Sequence, residues 1–507
     1  MTWSRSLSFA ISLLLAARLL QAQQPQEKSS AGMSPMANLQ HQVEQLSAAV
    51  AQEEAAIESS LRHIRQLRNQ VSELQSELAA ATRAALAVPE QDHRQQEIAS
   101  LHTEVEKLRE QADLEQSEIA VHDQAKVETQ SKFPLKLTGL ILMNTFVNTS
   151  GADVAQSPAL ATGGSGATGS SLRQTVLGLD ARGPHIFGAT SAADMRIDFF
   201  AGAGQSSNGT GYAGGGGLVR LRTAHAELEW NRTRTFFEMD RPIVNPNSPT
   251  SLAAVALPAL AWSGNLWNWM PQAGAEQSIA LAGSSRLKME AAVADIPDPA
   301  NPGSGQSALP GASLQENSRW PGSEARIAYA RGDEASGPEV GIGGYFSPHS
   351  NAEIRFDAWA ATIDFRIPFS SRFEASGSAY RGASLGGLGG GAFKDYAYRK
   401  LGEYSSFRPL DDAGGWTQLK ARAGQRLEFN TAYGLDNLFA GELRPYLPQN
   451  PNAYQSLARN STIFTNAIFS PTAYTLFSFE FRRIDSSPAL GQHSTANIFG
   501  VAAGYRF

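Results

Sequence analysis

The sequence predicts an all-β transmembrane barrel of about 16 antiparallel strands, preceded by an α-helical coiled coil. Three observations carry that fold class. The chain ends in an alternation, with Phe499, Val501, Ala503, Tyr505 and Phe507 on one face and Gly500, Ala502, Gly504 and Arg506 on the other. A strand needs that pattern when one side meets lipid and the other lines a wet lumen. From Phe133 onward the period stays at two, and long Gly- and Ser-rich connections alternate with turns as tight as Asn231, Ala423-Gly424 and Ser470-Pro471. Between Leu39 and Ile119 the apolar residues instead follow a heptad.

Composition sets the bounds. At 507 residues the chain exceeds one ordinary core. Past the N-terminus it has no apolar run long enough for membrane helices. A β-barrel hides in such averages because only every second strand residue must be apolar. Cysteine is absent, so no disulfide or thiolate site is available. The nine His residues show no metal-ligand spacing, and the glycine clusters at 214–217 and 386–391 lack the strand-then-helix setting of a phosphate loop. No metal, cofactor, catalytic residue or nucleic-acid partner is expected, and the chain is not read as an enzyme.

In chain order, residues 1–22 read as an export signal: Arg5 precedes the apolar stretch from Leu7 to Ala17, and Ala22 offers a small residue before a mature start at Gln23. Residues 23–36 form a Gln-, Ser- and Pro-rich spacer. Residues 37–128 are the coiled-coil stalk. Val43, Val50, Ile57, Ile64 and Val71 fall every seven residues, with Leu39, Leu46, Leu67 and Leu74 completing the seam. Pro89 breaks it, and it resumes in shifted register at Ile98, Leu101, Val105 and Leu108. A seam this narrow covers a partner helix, not a globular core, so the stalk is expected to oligomerise.

The barrel is placed at 133–507. Its expected strands lie near 135–148, 172–183, 189–201, 218–230, 232–240, 275–283, 285–295, 322–332, 337–347, 353–367, 370–382, 415–423, 424–434, 460–470, 472–484 and 494–507. Both ends of the barrel then fall on the turn side. Segments such as Leu287-Lys288-Met289-Glu290-Ala291 and Phe477-Ser478-Phe479-Glu480-Phe481-Arg482 interleave charges with lipid-type residues, which a soluble sandwich gives no reason for. Tyr505 and Phe507 resemble the terminal aromatic sorting signal of bacterial outer-membrane barrels.

The connection 241–274, with Pro242, Pro246, Trp262, Trp267 and Trp269, is too apolar for a solvated loop and is expected to fold into the lumen. Strand parity then places Arg234, Glu238 and Asp240, with Arg241 at the loop's root, on the inner wall. Arg286, Lys288, Arg326, Arg366, Lys420, Arg422, Arg426 and Arg482 join them, as arginine ladders across from loop acids that set a transverse field. Parity fails at Arg220 and Arg222, which fall in phase with Ala224, Ala226 and Trp230, so either a bulge intervenes or these arginines sit above lipid.

Arg173-Gln174-Thr175-Val176-Leu177-Gly178-Leu179-Asp180, then Asp194-Met195-Arg196-Ile197-Asp198-Phe199-Phe200, then Leu221-Arg222 through Glu229-Trp230, resemble the early strands of DcaP-like porins. The resemblance implies a trimeric channel with a periplasmic N-terminal coiled coil, associated with dicarboxylates and related small anions. The chain departs from that pattern at Phe237-Glu238-Met239-Asp240-Arg241-Pro242, whose acidic pair runs against anion preference. The expectation is a passive porin for small hydrophilic solutes in the outer membrane of a Gram-negative (diderm) bacterium, with its coiled coil in the periplasm. Its expected partners are outer-membrane lipid, the barrel assembly machinery, peptidoglycan and further copies of the chain. The rival is a structural anchor that tethers the coiled coil to the cell wall.

Overall fold

The computed structural model describes residues 135–201, 218–299, 311–333, 337–350, 354–401 and 404–507. The expected signal, spacer and coiled coil lie outside the described residues.

Nineteen strands follow one another: β1 (Leu135–Ala152), β2 (Ala161–Ser171), β3 (Val176–Arg182), β4 (Thr190–Ala201), β5 (Leu218–Glu229), β6 (Thr233–Asp240), β7 (Met270–Ala280), β8 (Ser285–Ala294), β9 (Gly322–Arg331), β10 (Glu339–Ser350), β11 (Arg355–Pro368), β12 (Phe373–Ala383), β13 (Tyr396–Leu401), β14 (Tyr404–Pro409), β15 (Asp411–Arg422), β16 (Leu427–Leu438), β17 (Leu457–Phe469), β18 (Thr475–Pro488) and β19 (Ser494–Arg506). β13 and β14 form a separate hairpin inside the connection after β12. The other strands pair antiparallel with their neighbours, and β19 returns to β1, with Leu140 opposite Arg506 and Asn148 opposite Ile498. β2 and β3 lie end to end along β1 and make one wall. The result is a closed barrel of sixteen walls, whose own sheet has no free edge.

The strands alternate as their sequences dictate. Along β9, Glu324, Arg326, Ala328 and Ala330 point inward while Ile327 and Tyr329 stand exposed outside. Along β19, Phe499, Val501 and Tyr505 are exposed on the outer face and Ile498 and Ala502 are buried inside. Phe507 follows the same parity. Its backbone exchanges two hydrogen bonds with Gly139, at 3.0 and 3.1 Å. Its ring covers that glycine, where a Cβ would stand 2.7 Å from Cζ.

Two of the barrel's bulges bear on the inner wall described below. In the second wall, Ser171 pairs with Asn144 and Val176 with Leu140, so four residues, Leu172 to Thr175, stand opposite three of β1. In β5, Thr223 faces Arg196 and Leu221 faces Ile197, which leaves Arg222 as the extra residue. That bulge resolves the parity conflict: Arg220 and Arg222 lie inside, and after the bulge His225 and Glu227 take the inner face.

Most strand ends differ from the sequence expectation by a few residues, and three of the differences bear on the wall and the loop. The second wall begins at Ala161, inside the Gly/Ser stretch expected to be loop. The connection after β6 ends at Trp269, five residues early, and β15 begins at Asp411.

Candidate functional site: the inner wall and an inward loop

Residues 241–269 turn into the barrel and follow its inner wall. They contain four prolines and no acid, so the chain brings few charges into the lumen and has fewer backbone donors to satisfy there. Inward polar side chains of the wall serve those that remain. Val244 N donates to Glu324 Oε2 of β9 (3.2 Å), and Thr362 Oγ1 of β11 donates to Val244 O (3.0 Å). Thr250 N donates to Gln418 Oε1 of β15 (2.6 Å), and its carbonyl accepts from Asn466 Nδ2 of β17 (2.9 Å). Ser251 Oγ reaches Glu480 of β18. Arg220 Nη2 of β5 donates to Ala256 O (2.8 Å).

Gln174, in the bulge between β2 and β3, holds the middle of the loop. Its Oε1 accepts from Val255 N (2.8 Å) and Ala256 N (3.0 Å), and its Nε2 donates to Ala253 O (3.1 Å) and Gln156 O (3.3 Å). On the return path the loop presses against β15 and β16. A Cβ on Gly434 would stand 2.1 Å from Ser263 O, and one on Gly264, itself at φ +92°, 2.1 Å from Gly415 O. Only a residue without a side chain tolerates both that φ and that approach. Trp262 stacks on Phe393 at 4.0 Å and meets Trp267 edge-on at 5.9 Å, while Trp267 meets Trp269 at 5.4 Å. The tryptophans thus pack inside the barrel, beside the connection after β12.

The wall charges pair along the sheet. The loop carries no acid, so the expected ladders facing loop acids are not formed. Arg326 takes three carboxylates: Asp364 (2.7 and 2.8 Å), Glu290 (2.7 Å) and Glu339 (2.7 Å), with its side chain 1% exposed. Gly341 leaves the room, since a Cβ there would meet Asp364 Oδ2 at 2.6 Å and Arg326 Nε at 2.8 Å. Lys288 Nζ lies 3.7 Å from both Glu276 and Glu339. Arg234 joins Glu227 (3.1 Å), Glu276 (3.7 Å) and Glu238 (4.0 Å). Arg286 and Arg366 donate to Gly332 O (2.7 Å), just past β9, and Gly337 O (3.2 Å), just before β10.

Lys420 lies 3.8 Å from Glu428 and Arg422 3.2 Å from Glu374. Arg422, Arg426 and Arg372 line a cavity of about 450 Å³ at the turn side. Arg482 is buried against Glu480 (2.6 Å), and Arg241 lies 3.8 Å from Asp240. Sequence reasoning missed Gln174, Asp198, His225 and Glu324. Gln174 sat within a quoted motif, but nothing in the sequence marked it as the loop's anchor. Arg220 pairs with fully buried Asp198 (2.7 Å), and Arg220 and Arg222 both stand over the Trp269 ring, at 5.1 and 4.7 Å.

No protein-family model matches the chain, and no curated protein matches it. Among solved structures it is similar to the outer membrane channel DcaP of Acinetobacter baumannii, at 15% identity and a TM-score of 0.55, over 75% of this chain and 99% of that one. It is also similar to an anion-selective porin from Comamonas acidovorans, at 11% identity and a TM-score of 0.45, over 74% of this chain and 100% of that one. The first likeness is one of fold, the closed sixteen-walled barrel.

Proposed function

We propose that the chain is a passive outer-membrane porin through which small hydrophilic solutes diffuse. One observation carries this reading: a barrel with an apolar outer face and a charged inner wall has its longest described uninterrupted connection, 241–269, folded inside it. A loop so placed narrows the lumen at the level of Glu238, Asp240, Arg241 and Arg220, where passing solutes lose part of their bulk screening. Dicarboxylates and other small anions are the finer assignment. They rest on the resemblance at 173–180 and 194–200, and the arginines over Trp269 supply cations at that level.

The stalk is assigned to the periplasm and the assembly to a homotrimer. Planar-bilayer recording of the purified full chain tests the function. Stepwise conductance that rises when residues 246–260 are deleted supports a porin with this loop as its constriction. A barrel that inserts without conducting favours the anchor reading, to which the apolar packing of Trp262, Trp267 and Phe393 inside the barrel lends its weight.

A further inference from the structure

His225 leaves β5 just past the bulge and enters the lumen between two carboxylates on the neighbouring strands. Its Nδ1 lies 3.0 Å from Asp194 Oδ1 on β4, and its Nε2 lies 3.2 Å from Asp240 Oδ2 on β6, at the root of the inward loop. Carboxylate oxygens only accept, so a ring bonded on both sides donates from both nitrogens. Imidazolium alone does that.

The other charged groups around it are fixed by the same register. On β4, Arg196 Nη1 stands 3.4 Å from Asp194 Oδ1. On β6, Glu238 is the residue directly opposite His225. Arg241 Nε lies 3.8 Å from Asp240 Oδ1, and Arg222 and Glu227 flank the ring on β5 itself. The arginines hold their charge at any working pH.

We infer that His225 is a proton-operated selectivity element of the lumen wall. With both protons it balances one of the three carboxylates Asp194, Glu238 and Asp240. When hydroxide removes one N–H proton, forming water, the imidazole keeps one donor, and one carboxylate loses its hydrogen bond from the ring and keeps only its arginine neighbour, Arg196 for Asp194 or Arg241 for Asp240. The wall gains one net negative charge at the loop's root, and the channel moves toward cations.

This inference rests on the porin reading, so its test separates the two. Reversal potentials in a salt gradient are recorded for the full chain and for His225→Gln from about pH 5 to about pH 10, a window that brackets and extends above the ordinary histidine range. The cation-to-anion permeability ratio of the unmodified chain rises about sixfold on alkalisation, because one unit charge felt through water at about 8 Å favours the cation and disfavours the anion by about 2.4-fold each. In His225→Gln most of that rise is lost. Nitrogen NMR of the labelled, unmodified chain in micelles follows the ring directly, whether or not the variant folds. A doubly protonated ring that loses a proton inside this window supports the inference. A ring already neutral at pH 5, or an equal pH slope in His225→Gln, overturns it. Absence of conductance at every pH removes the porin reading instead, and the ring signal still decides the protonation of His225.

Discussion

Replacing Gln174 with Leu should free the middle of the inward loop without touching the loop itself. The side chain is fully buried, and its carbonyl oxygen accepts from two backbone N–H groups, Val255 and Ala256. Leucine offers no acceptor, so both donors lose their partner, each at about 1–3 kcal/mol when buried. The donated bonds to Ala253 O and Gln156 O go too. The loop keeps its contacts through Val244, Thr250, Ser251 and the Ala256 carbonyl, so the loss is local. A total near 3 kcal/mol raises the population of the detached loop about a hundredfold. Hydrogen–deuterium exchange over residues 250–257 reads this directly and needs no channel activity. Exchange should accelerate by about that factor while the strand ladders keep their protection, and bilayer recordings should become noisier and more conductive. Gln174→Glu, which keeps the acceptor and loses the donor, should fall between the two. Exchange within twofold of the unmodified chain would refute the latch.

Four further outcomes follow from the same geometry. Arg326→Leu leaves Asp364, Glu290 and Glu339 crowded without their cation and should cost about 3–5 kcal/mol in denaturant unfolding from micelles; a loss under about 1 kcal/mol would mean the carboxylates relax apart. Replacing Lys420 and Arg422 together with Gln frees Glu428 and Glu374 and should shift reversal potentials toward cations; an unchanged preference would take these residues off the ion path. Burial pushes the Asp395 carboxyl, in the connection after β12, up to about 8. Because that lies above its ordinary range near ~4, its contribution to stability is present below that range and is lost as pH rises toward about 8; Asp395→Asn should flatten the slope and stabilise the barrel at pH 8 by on the order of 2 kcal/mol, and an unchanged slope would refute it. Removing Phe507 uncovers Gly139 and takes away the last two hydrogen bonds of the closing seam, so surface levels should drop while synthesis persists, and equal surface levels would exclude a sorting role.

The wall was legible because each lipid-facing position must be apolar, which stamps a period of two on the strands. Where the outer face carries Gly164, Gly166, Thr168 and Ser170, that stamp is missing, and the first half of the second wall read as loop. The phase conflict at Arg220 and Arg222 was itself the trace of the β5 bulge. The loop's inward course was legible from Trp262, Trp267 and Trp269, which have no place in water. Its anchors were not, since Gln174, Gln418, Asn466 and Glu480 come from walls far apart in sequence and look like any inward polar residue.

Charge pairing was illegible for the same reason and follows from register. Directly opposed residues on one sheet face stand ~4.5–5.5 Å apart, so each inner-wall charge meets its cross-strand partner before it meets anything across the lumen. Arg326 lies opposite Glu290, Arg366 opposite Glu339 and Asp198 opposite Arg220, while Lys420 and Arg422 pair on the diagonal, with Glu428 and Glu374. At two places the register sets like charges face to face, Asp180 with Asp194 and Glu276 with Glu290. A cation from a neighbouring position relieves each. Arg196 reaches Asp180 at 2.6 Å and Asp194 at 3.4 Å, while Lys288 approaches Glu276 and Arg326 takes Glu290. Asp194 also needs His225, because Arg196 is committed more closely to Asp180. The wall's charges are therefore met locally by neighbours on the sheet, and at the loop's root one of those neighbours is a titratable ring, so on the proposed reading a change of one proton there alters the field in the lumen.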